Sequence, residues 1–82
     1  MIFYVYMLKS INSKITKSYV GYTNNLLSRI RKHNTGVGAK STRGYKWKII
    51  YKKKFYDKSS AMSYEYKLKN DKKKRKYILT KS

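Results

Sequence analysis

The pattern of apolar and polar residues divides the chain into strand-like and helix-like segments. Residues 2–8, IFYVYML, form an unbroken β-branched, aromatic and aliphatic run, which is typical of a central strand covered on both faces. A polar connection over residues 9–17 leads to a second strand-like run over 18–22, which reaches its end at Gly21. Because a short connection joins neighbouring strands of opposite direction, the pattern predicts antiparallel pairing of these two strands.

Two later segments carry apolar residues at helical spacing. The first helix is predicted to begin after an N-cap at Thr23 or Asn24 and to end near Asn34. Its apolar stripe consists of Leu26, Leu27 and Ile30. The second helix is predicted to begin after Asp57 or Ser59. One face of it carries Ala61, Glu65 and Leu68, so the glutamate is predicted to lie on the stripe that faces the core.

Between the helices, residues 47–56 alternate in a way that predicts a third strand. One side of that strand is expected to carry Trp47, Ile49, Tyr51 and Phe55. The other side is expected to carry Lys48, Lys52 and Lys54, which would also protect an exposed edge. Residues 37–45 are predicted to form a mobile surface loop, and residues 71–82 a short closing helix or strand.

The charge of the chain limits the classes of partner that it is expected to bind. Its 82 residues contain 22 Lys and Arg against 3 Asp and Glu, and the formal net charge is +19. This length predicts a single domain over residues 1–82, and this charge predicts attraction to nucleic acid or to an anionic membrane surface, strongest at low salt. The run over residues 2–8 is too short for a signal peptide or a membrane span, so we expect a cytoplasmic protein.

The same composition limits the chemistry. Without cysteine the chain has no disulfide or thiolate zinc site, and with one histidine it has no multi-histidine metal site. Hydrolysis of a phosphodiester needs a base, a cation for the phosphate and a metal ion as Lewis acid. One carboxylate with water and substrate phosphate is enough to hold Mg²⁺, whereas a two-metal site needs several carboxylates. Five residues that fit these roles are Tyr6, Tyr19, Arg29, His33 and Glu65.

The order of these residues resembles the GIY-YIG nuclease superfamily, in particular small single-domain members similar to the nuclease subunit of structure-selective endonucleases. Each short piece is weak evidence alone, but their joint order and spacing over residues 2–79 are specific. The pieces are Tyr4-Val5-Tyr6, Tyr19-Val20-Gly21, Tyr22–Leu26 followed by Arg29 and His33-Asn34, Gly38–Gly44, the strand at Trp47, and Ala61–Lys69 around Glu65. Tyr4 replaces the first glycine of the name-giving motif, which leaves the motif's tyrosine at Tyr6.

The resemblance implies an α+β fold with a three-stranded antiparallel sheet flanked by helices, and cleavage of DNA that depends on Mg²⁺ or Mn²⁺. It implies that Tyr19 is the general base, with Tyr6 as its partner. It also implies that Arg29 binds the phosphate, that His33 assists by hydrogen bonding, and that Glu65 is the metal ligand. The expected substrate is branched, flapped or nicked DNA, and a protein partner that supplies specificity is compatible with so small a chain. Candidate nucleic-acid contacts are Arg31, Lys32, Lys40 and Arg43.

Two other classes of protein fit the same residues. The first is a catalytically silent, basic nucleic-acid-binding module; the asparagine that many members carry well beyond the glutamate has no counterpart here, because Asn70 is too close. The second is a basic structural or ribosome-associated protein, which the tyrosines and the lysine-rich tail permit. Glu65 also has a purely structural interpretation as an i, i+4 ion pair with Lys69.

Overall fold

Three antiparallel strands form the centre of the molecule. The computed structural model describes residues 1–82 and contains β1 (Phe3–Ser10), β2 (Ser18–Thr23) and β3 (Trp47–Phe55) in the order β2-β1-β3. The predicted central position of the first strand and its antiparallel pairing are therefore confirmed. β1 continues two residues beyond the predicted end because Lys9 pairs with both neighbouring strands and Ser10 pairs with β3.

Three α-helices cover this sheet, which confirms the expected α+β class. They are α1 (Leu26–Asn34), α2 (Lys58–Asn70) and α3 (Lys72–Lys81), and a short 3₁₀ helix spans Lys40–Thr42. The C-terminal segment, predicted as a helix or a strand, is thus a helix. None of the helices has both the length and the apolar character that crossing a membrane requires.

Side-chain caps fix where the helices begin. The cap of α1 is Asn25, whose side chain accepts a hydrogen bond from the Ser28 amide at 3.1 Å, so the predicted cap at Thr23 or Asn24 is wrong. The Thr23 hydroxyl instead accepts from the Asn25 amide at 3.1 Å and forms the turn before the helix. Asp57 caps α2 as predicted, and Asp71 caps α3.

A β-bulge on β3 corrects the predicted alternation of that strand. Leu8 pairs with Ile49 and the preceding Met7 pairs with Tyr51, so Ile50 has no partner of its own on β1. The residues before and after the bulge consequently face opposite sides of the sheet. Trp47 and Ile49 pack on the α1 side, whereas Ile50, Tyr51 and Phe55 pack on the side of α2 and α3.

The sheet therefore separates two apolar clusters. The cluster under α1 contains Tyr6, Leu8 and Trp47, and the cluster under α2 and α3 contains Val5, Met7, Val20, Ala61, Leu68 and Ile78. β1 contributes alternate residues to both, and its residues 5–8 are all 0% exposed. This explains why the sequence of β1 shows a continuous apolar run rather than an alternating one.

The segment 37–45 is not only a surface loop. Thr42 is fully buried, and its carbonyl oxygen accepts a hydrogen bond from the Trp47 indole at 2.9 Å. Gly44 has a φ of +88°, a conformation that favours glycine and allows the chain to turn back into β3. The segment thereby closes one side of the α1 cluster and brings a threonine hydroxyl into contact with His33.

Candidate active site

An open cleft of about 560 Å³ brings together four of the five residues that the sequence pointed to. Tyr6, Tyr19, Arg29 and Glu65 all line it. They come from β1, β2, α1 and α2 respectively. The fifth residue, His33, does not line the cleft but lies buried behind Tyr6.

The two tyrosines reach the cleft from neighbouring strands. Tyr6 pairs directly with Gly21, and Tyr19 lies two residues earlier on the same face of β2. A Cβ atom at Gly21 would lie 2.6 Å from the Tyr6 hydroxyl oxygen and 3.0 Å from a Tyr19 ring carbon. Only glycine at this position leaves room for the Tyr6 ring to cross the face of β2.

The Tyr6 hydroxyl begins a chain of buried hydrogen bonds. Its oxygen lies 2.8 Å from His33 Nε2, and His33 Nδ1 lies 2.9 Å from Thr42 Oγ1. The Thr42 hydroxyl donates its single proton to the Ala39 carbonyl at 2.8 Å. Thr42 must therefore accept from His33 Nδ1–H. Because burial lowers the pKa of His33 and favours the neutral imidazole, Nε2 is then unprotonated and accepts from the Tyr6 hydroxyl. The contact with Thr42 thus fixes the tautomer of the neutral His33.

Gly38 makes this arrangement of His33 sterically possible. A Cβ atom at Gly38 would lie 2.6 Å from His33 Nδ1 and 3.0 Å from the His33 Cα. The backbone after α1 therefore passes directly over the imidazole ring, which is 0% exposed. This close approach covers the ring and brings Thr42 into contact with it.

Burial and positive charge set the protonation states at the cleft. Burial raises the pKa of Tyr6 to about 12, although the neighbouring Arg29 opposes the shift. Burial, and then the charge of Arg29, lower the pKa of His33. The Tyr6 hydroxyl beside the guanidinium raises the pKa of Arg29, whose buried Nε has no hydrogen-bond partner. Near neutral pH the site therefore holds a protonated Tyr6, a neutral His33 and a cationic Arg29.

Glu65 is the only carboxylate available to a metal ion at the cleft. Asp57 and Asp71 accept hydrogen bonds from helix N-terminal amides at 2.7 and 3.0 Å. The side chain of Glu65 is 18% exposed, and its carboxylate also lies 3.5 Å from Lys69 Nζ, so the i, i+4 ion pair exists as well. No group of three or more His, Asp or Glu residues is present. Since Mg²⁺ often takes one or two protein carboxylates and fills its shell with water and phosphate, this donor set fits one such ion.

The four residues predicted to contact nucleic acid lie outside the cleft. Arg31 and Lys32 are exposed in the last turn of α1, and Lys40 and Arg43 are exposed at the 3₁₀ helix and the residue after it. The cleft contains a different basic residue, Lys58 at the start of α2, which the sequence did not single out.

Sequence reasoning also missed the buried partner of His33. Thr42 was visible only as part of the glycine-containing segment 38–44, and nothing in its spacing distinguishes it from Ser41. The position of Gly38 directly over the imidazole was equally invisible, because it depends on how the segment turns back after α1. The one available signal was the presence of two glycines in a segment that follows a histidine.

Comparisons with known proteins find a family, several relatives and a solved structure that are similar to this chain. A family described as "GIY-YIG catalytic domain" matches residues 2–78. A UPF0213 protein of Oceanobacillus iheyensis is 48% identical over 67 residues, which are 80% of this chain and 74% of the relative. A UPF0213 protein of Clostridium perfringens is 46% identical over 67 residues, 80% of this chain and 69% of the relative. The solution NMR structure of a UPF0213 protein from Bacillus halodurans has a TM-score of 0.52 and 34% identity, covering 99% of this chain and 84% of that one.

Proposed function

The chain belongs to the GIY-YIG family, a nuclease-type family, and we propose from this that it is an endonuclease that hydrolyses phosphodiester bonds of DNA with a divalent metal ion. The observation that carries the proposal is the convergence of Tyr6, Tyr19, Arg29 and Glu65 on one open cleft. These residues are distant along the chain, and packing of the core alone gives no reason for an arginine, a glutamate and two phenols to share a solvent-filled concavity.

Arg29 is proposed to bind the phosphate that is cleaved. Its guanidinium stays charged at any physiological pH, and its planar fork can donate two parallel hydrogen bonds to phosphate oxygens. The Arg29 Nε is buried without a partner, and the Tyr6 hydroxyl lies beside the guanidinium. Arg29 lines the cleft, so a phosphate bound there would meet the guanidinium where negative charge develops during hydrolysis.

Tyr19 is proposed to accept the proton of the attacking water. Of the two tyrosines, Tyr6 is the poorer base, because its own proton is held by His33 and burial raises its pKa to about 12. Tyr19 is partly exposed and lines the cleft together with Arg29, so its hydroxyl oxygen is accessible to a water molecule there. Tyr6 and His33 then act as positioning residues that hold the Tyr19 phenol next to Arg29.

Glu65 is proposed to hold Mg²⁺ or Mn²⁺ at the rim of the cleft. The ion would supply Lewis-acid assistance to the phosphate and to the departing oxygen. The carboxylate itself must release Lys69 or share its two oxygens between the lysine and the ion. Because the Lys69 side chain is half exposed, water can replace it as a partner at little cost.

The proposed substrate is branched, flapped or nicked DNA. A chain of 82 residues offers little surface for reading base edges, and contacts to phosphate carry no sequence information. Recognition is then left to the shape of the DNA and to a protein partner that supplies specificity. Lys58 and Arg29, which line the cleft together, provide the positive charge next to the proposed site of cleavage.

Incubation of the purified protein with branched and linear DNA, in the presence of Mg²⁺ or Mn²⁺, tests the proposal. Glu65→Gln is expected to lower cleavage by about 100-fold or more, the range found when one electrostatic contact to a transition state is lost. Its DNA affinity should stay the same or rise, because a negative charge is removed.

The matched control is Lys69→Ala, which breaks the ion pair but keeps the carboxylate. Cleavage by this variant should equal that of the wild type. If Glu65→Gln cleaves as fast as the wild type, Glu65 has no part in the reaction. If neither the wild type nor the control cleaves any DNA, the alternative of a silent binding module, which the net charge of +19 favours, replaces the proposal. That module should bind DNA with a steep inverse dependence on salt.

A further inference from the structure

A second cluster of polar aromatic residues lies between β3, α2 and α3, at the edge of the sheet opposite to β2. The Tyr51 and Tyr64 hydroxyl oxygens are 2.5 Å apart, and Lys74 Nζ donates to the Tyr64 hydroxyl at 2.9 Å. Lys74 Nζ also lies 5.9 Å from the centre of the Tyr51 ring. Burial, and then the hydrogen bond with Tyr64, raise the pKa of Tyr51 to about 12, so this phenol stays protonated. The cluster therefore holds a lysine ammonium in a fixed position.

Next to this lysine is a small pocket with an apolar floor and a basic rim. Its volume is about 270 Å³, close to the lower end of the range of about 300 to 1,000 Å³ for small-molecule sites. The floor and walls are formed by Ile50, Ile78, Tyr51 and Tyr77, and the two cations at the rim are Lys74 and Lys81. Ile50 is the extra residue of the bulge on β3, so the irregularity of the strand helps to form the floor.

The charges around the pocket are unfavourable in the protein alone. The first turn of α3 contains Lys72, Lys73 and Lys74 and no acidic residue, although cations are disfavoured at a helix N-terminus. The one acidic residue there, Asp71, is engaged as the N-cap. Of these three lysines only Lys74 lines the pocket, and an anion bound beside it would offset the unfavourable charge at this end of the helix.

The tyrosines of the pocket indicate which chemical group the ligand carries besides its negative charge. Tyr77 is 58% exposed, and its ring is covered only by Lys81 Nζ, which lies 4.8 Å from the ring centre. Two phenol rings, an apolar floor and two ammonium groups are the combination that binds an unpaired base together with its phosphate. A phosphate alone would use the lysines and leave the rings without a partner.

We propose that this pocket binds one unpaired nucleotide of single-stranded DNA, with its base against Tyr51 and Tyr77 and its phosphate at Lys74 and Lys81. The inference rests on the proposed function for its role, which is to hold the unpaired strand of a branched substrate while the cleft engages the strand to be cut. The cleft borders β2 and the pocket borders β3, which are on opposite edges of the sheet. One protein could therefore hold two arms of a junction.

Binding of a short oligothymidylate, measured by fluorescence anisotropy without divalent ions, tests the inference. Tyr77→Ala is expected to lower the affinity about 5- to 150-fold, the equivalent of about 1 to 3 kcal/mol for one stacked base. Tyr77→Phe should restore it, because stacking needs the ring and not the hydroxyl. The matched control is Tyr56→Ala, which removes another exposed tyrosine, 75% accessible, outside the pocket and should leave the affinity unchanged.

Inorganic polyphosphate, which has no bases, serves as the second ligand. Its affinity should be the same for the wild type and Tyr77→Ala, whereas Lys81→Ala should weaken both ligands and reduce the salt dependence of each. The inference is overturned if Tyr77→Ala weakens both ligands equally, or if it weakens oligothymidylate no more than Tyr56→Ala does. These binding experiments do not measure cleavage, so their result is independent of the nuclease assay. If binding depends on Tyr77 but the protein cleaves no DNA, only the proposed function is refuted. Cleavage by a protein whose binding ignores Tyr77 would refute only this inference.

Discussion

Replacing Gly21 by alanine should disrupt the hydrogen-bond chain behind the cleft. The added methyl group would lie 2.6 Å from the Tyr6 hydroxyl oxygen and 2.8 Å from the Tyr6 ring carbon that carries it. The Tyr6 ring is fully buried and its hydroxyl is bonded to His33, so a movement of the ring away from the added methyl group would disturb that bond. Either the ring shifts and the Tyr6–His33 bond breaks, or β2 separates from β1.

The cost follows from these contacts. Forcing an extra methyl group into a packed core costs about 1 to 3 kcal/mol. Leaving the buried Nε2 of His33 without a donor adds about 1 to 3 kcal/mol. The sum of about 2 to 6 kcal/mol is a large part of the stability of a small domain, about 5 to 15 kcal/mol. Since about 1 kcal/mol shifts the melting temperature of a domain of this size by about 4 to 8 °C, we expect a decrease of at least about 8 °C.

Thermal and urea unfolding, followed by circular dichroism, measure this cost, and a double-mutant cycle with Tyr6→Phe identifies its cause. Without the hydroxyl the closest contact disappears, so Gly21→Ala should cost at least about 0.5 kcal/mol less in the Tyr6→Phe background. Gly44→Ala is the control. It introduces alanine at a φ of +88° with no atom within 4 Å, so it should cost about 1 to 2 kcal/mol in both backgrounds. Additive costs of Gly21→Ala and Tyr6→Phe would refute the steric explanation.

Two further predictions concern the buried end of the same chain. Because burial lowers the pKa of His33, the unfolded protein binds a proton below the ordinary value of 6.5 while the native protein does not, so the free energy of unfolding should fall as pH decreases from about 7 to 5. Urea unfolding across this range should show that slope in the wild type and not in His33→Gln; equal slopes would contradict a buried neutral imidazole. Thr42→Val should destabilise the protein by about 1 to 3 kcal/mol, because His33 Nδ1–H loses its buried acceptor, whereas Thr42→Ser should retain most of the stability. Equal melting temperatures for the valine and serine variants would show that the hydroxyl is not needed.

Much of the fold follows from short-range patterns in the sequence. The continuous apolar run at residues 2–8 predicted a central strand because both faces of β1 are covered, and the caps and stripes placed α1 and α2 within a residue or two. The bulge at Ile50 was not predicted. Three consecutive apolar residues, 49–51, are compatible with simple alternation, and only the pairing with β1 shows which of them is extra.

The residue types of the candidate site could be predicted, but the burial of His33 behind the cleft and its hydrogen-bond partners could not. The resemblance named the residues of the cleft, yet it could not show that His33 is withdrawn from the cleft and bonded on both sides. That arrangement depends on Thr42 and Gly38, which meet His33 through a turn with no periodic pattern of its own. Contacts between segments of irregular structure are set by the whole fold, and no local sequence preference encodes them.

The lysines along β3 have a consequence for how copies of the protein behave together. β3 is an edge strand, and Lys48, Lys52, Lys53 and Lys54 are all exposed along it. Two copies that approached edge to edge would bring these ammonium groups close together, and the resulting repulsion opposes pairing of the two edges. A nucleic acid running past this edge would cancel that repulsion.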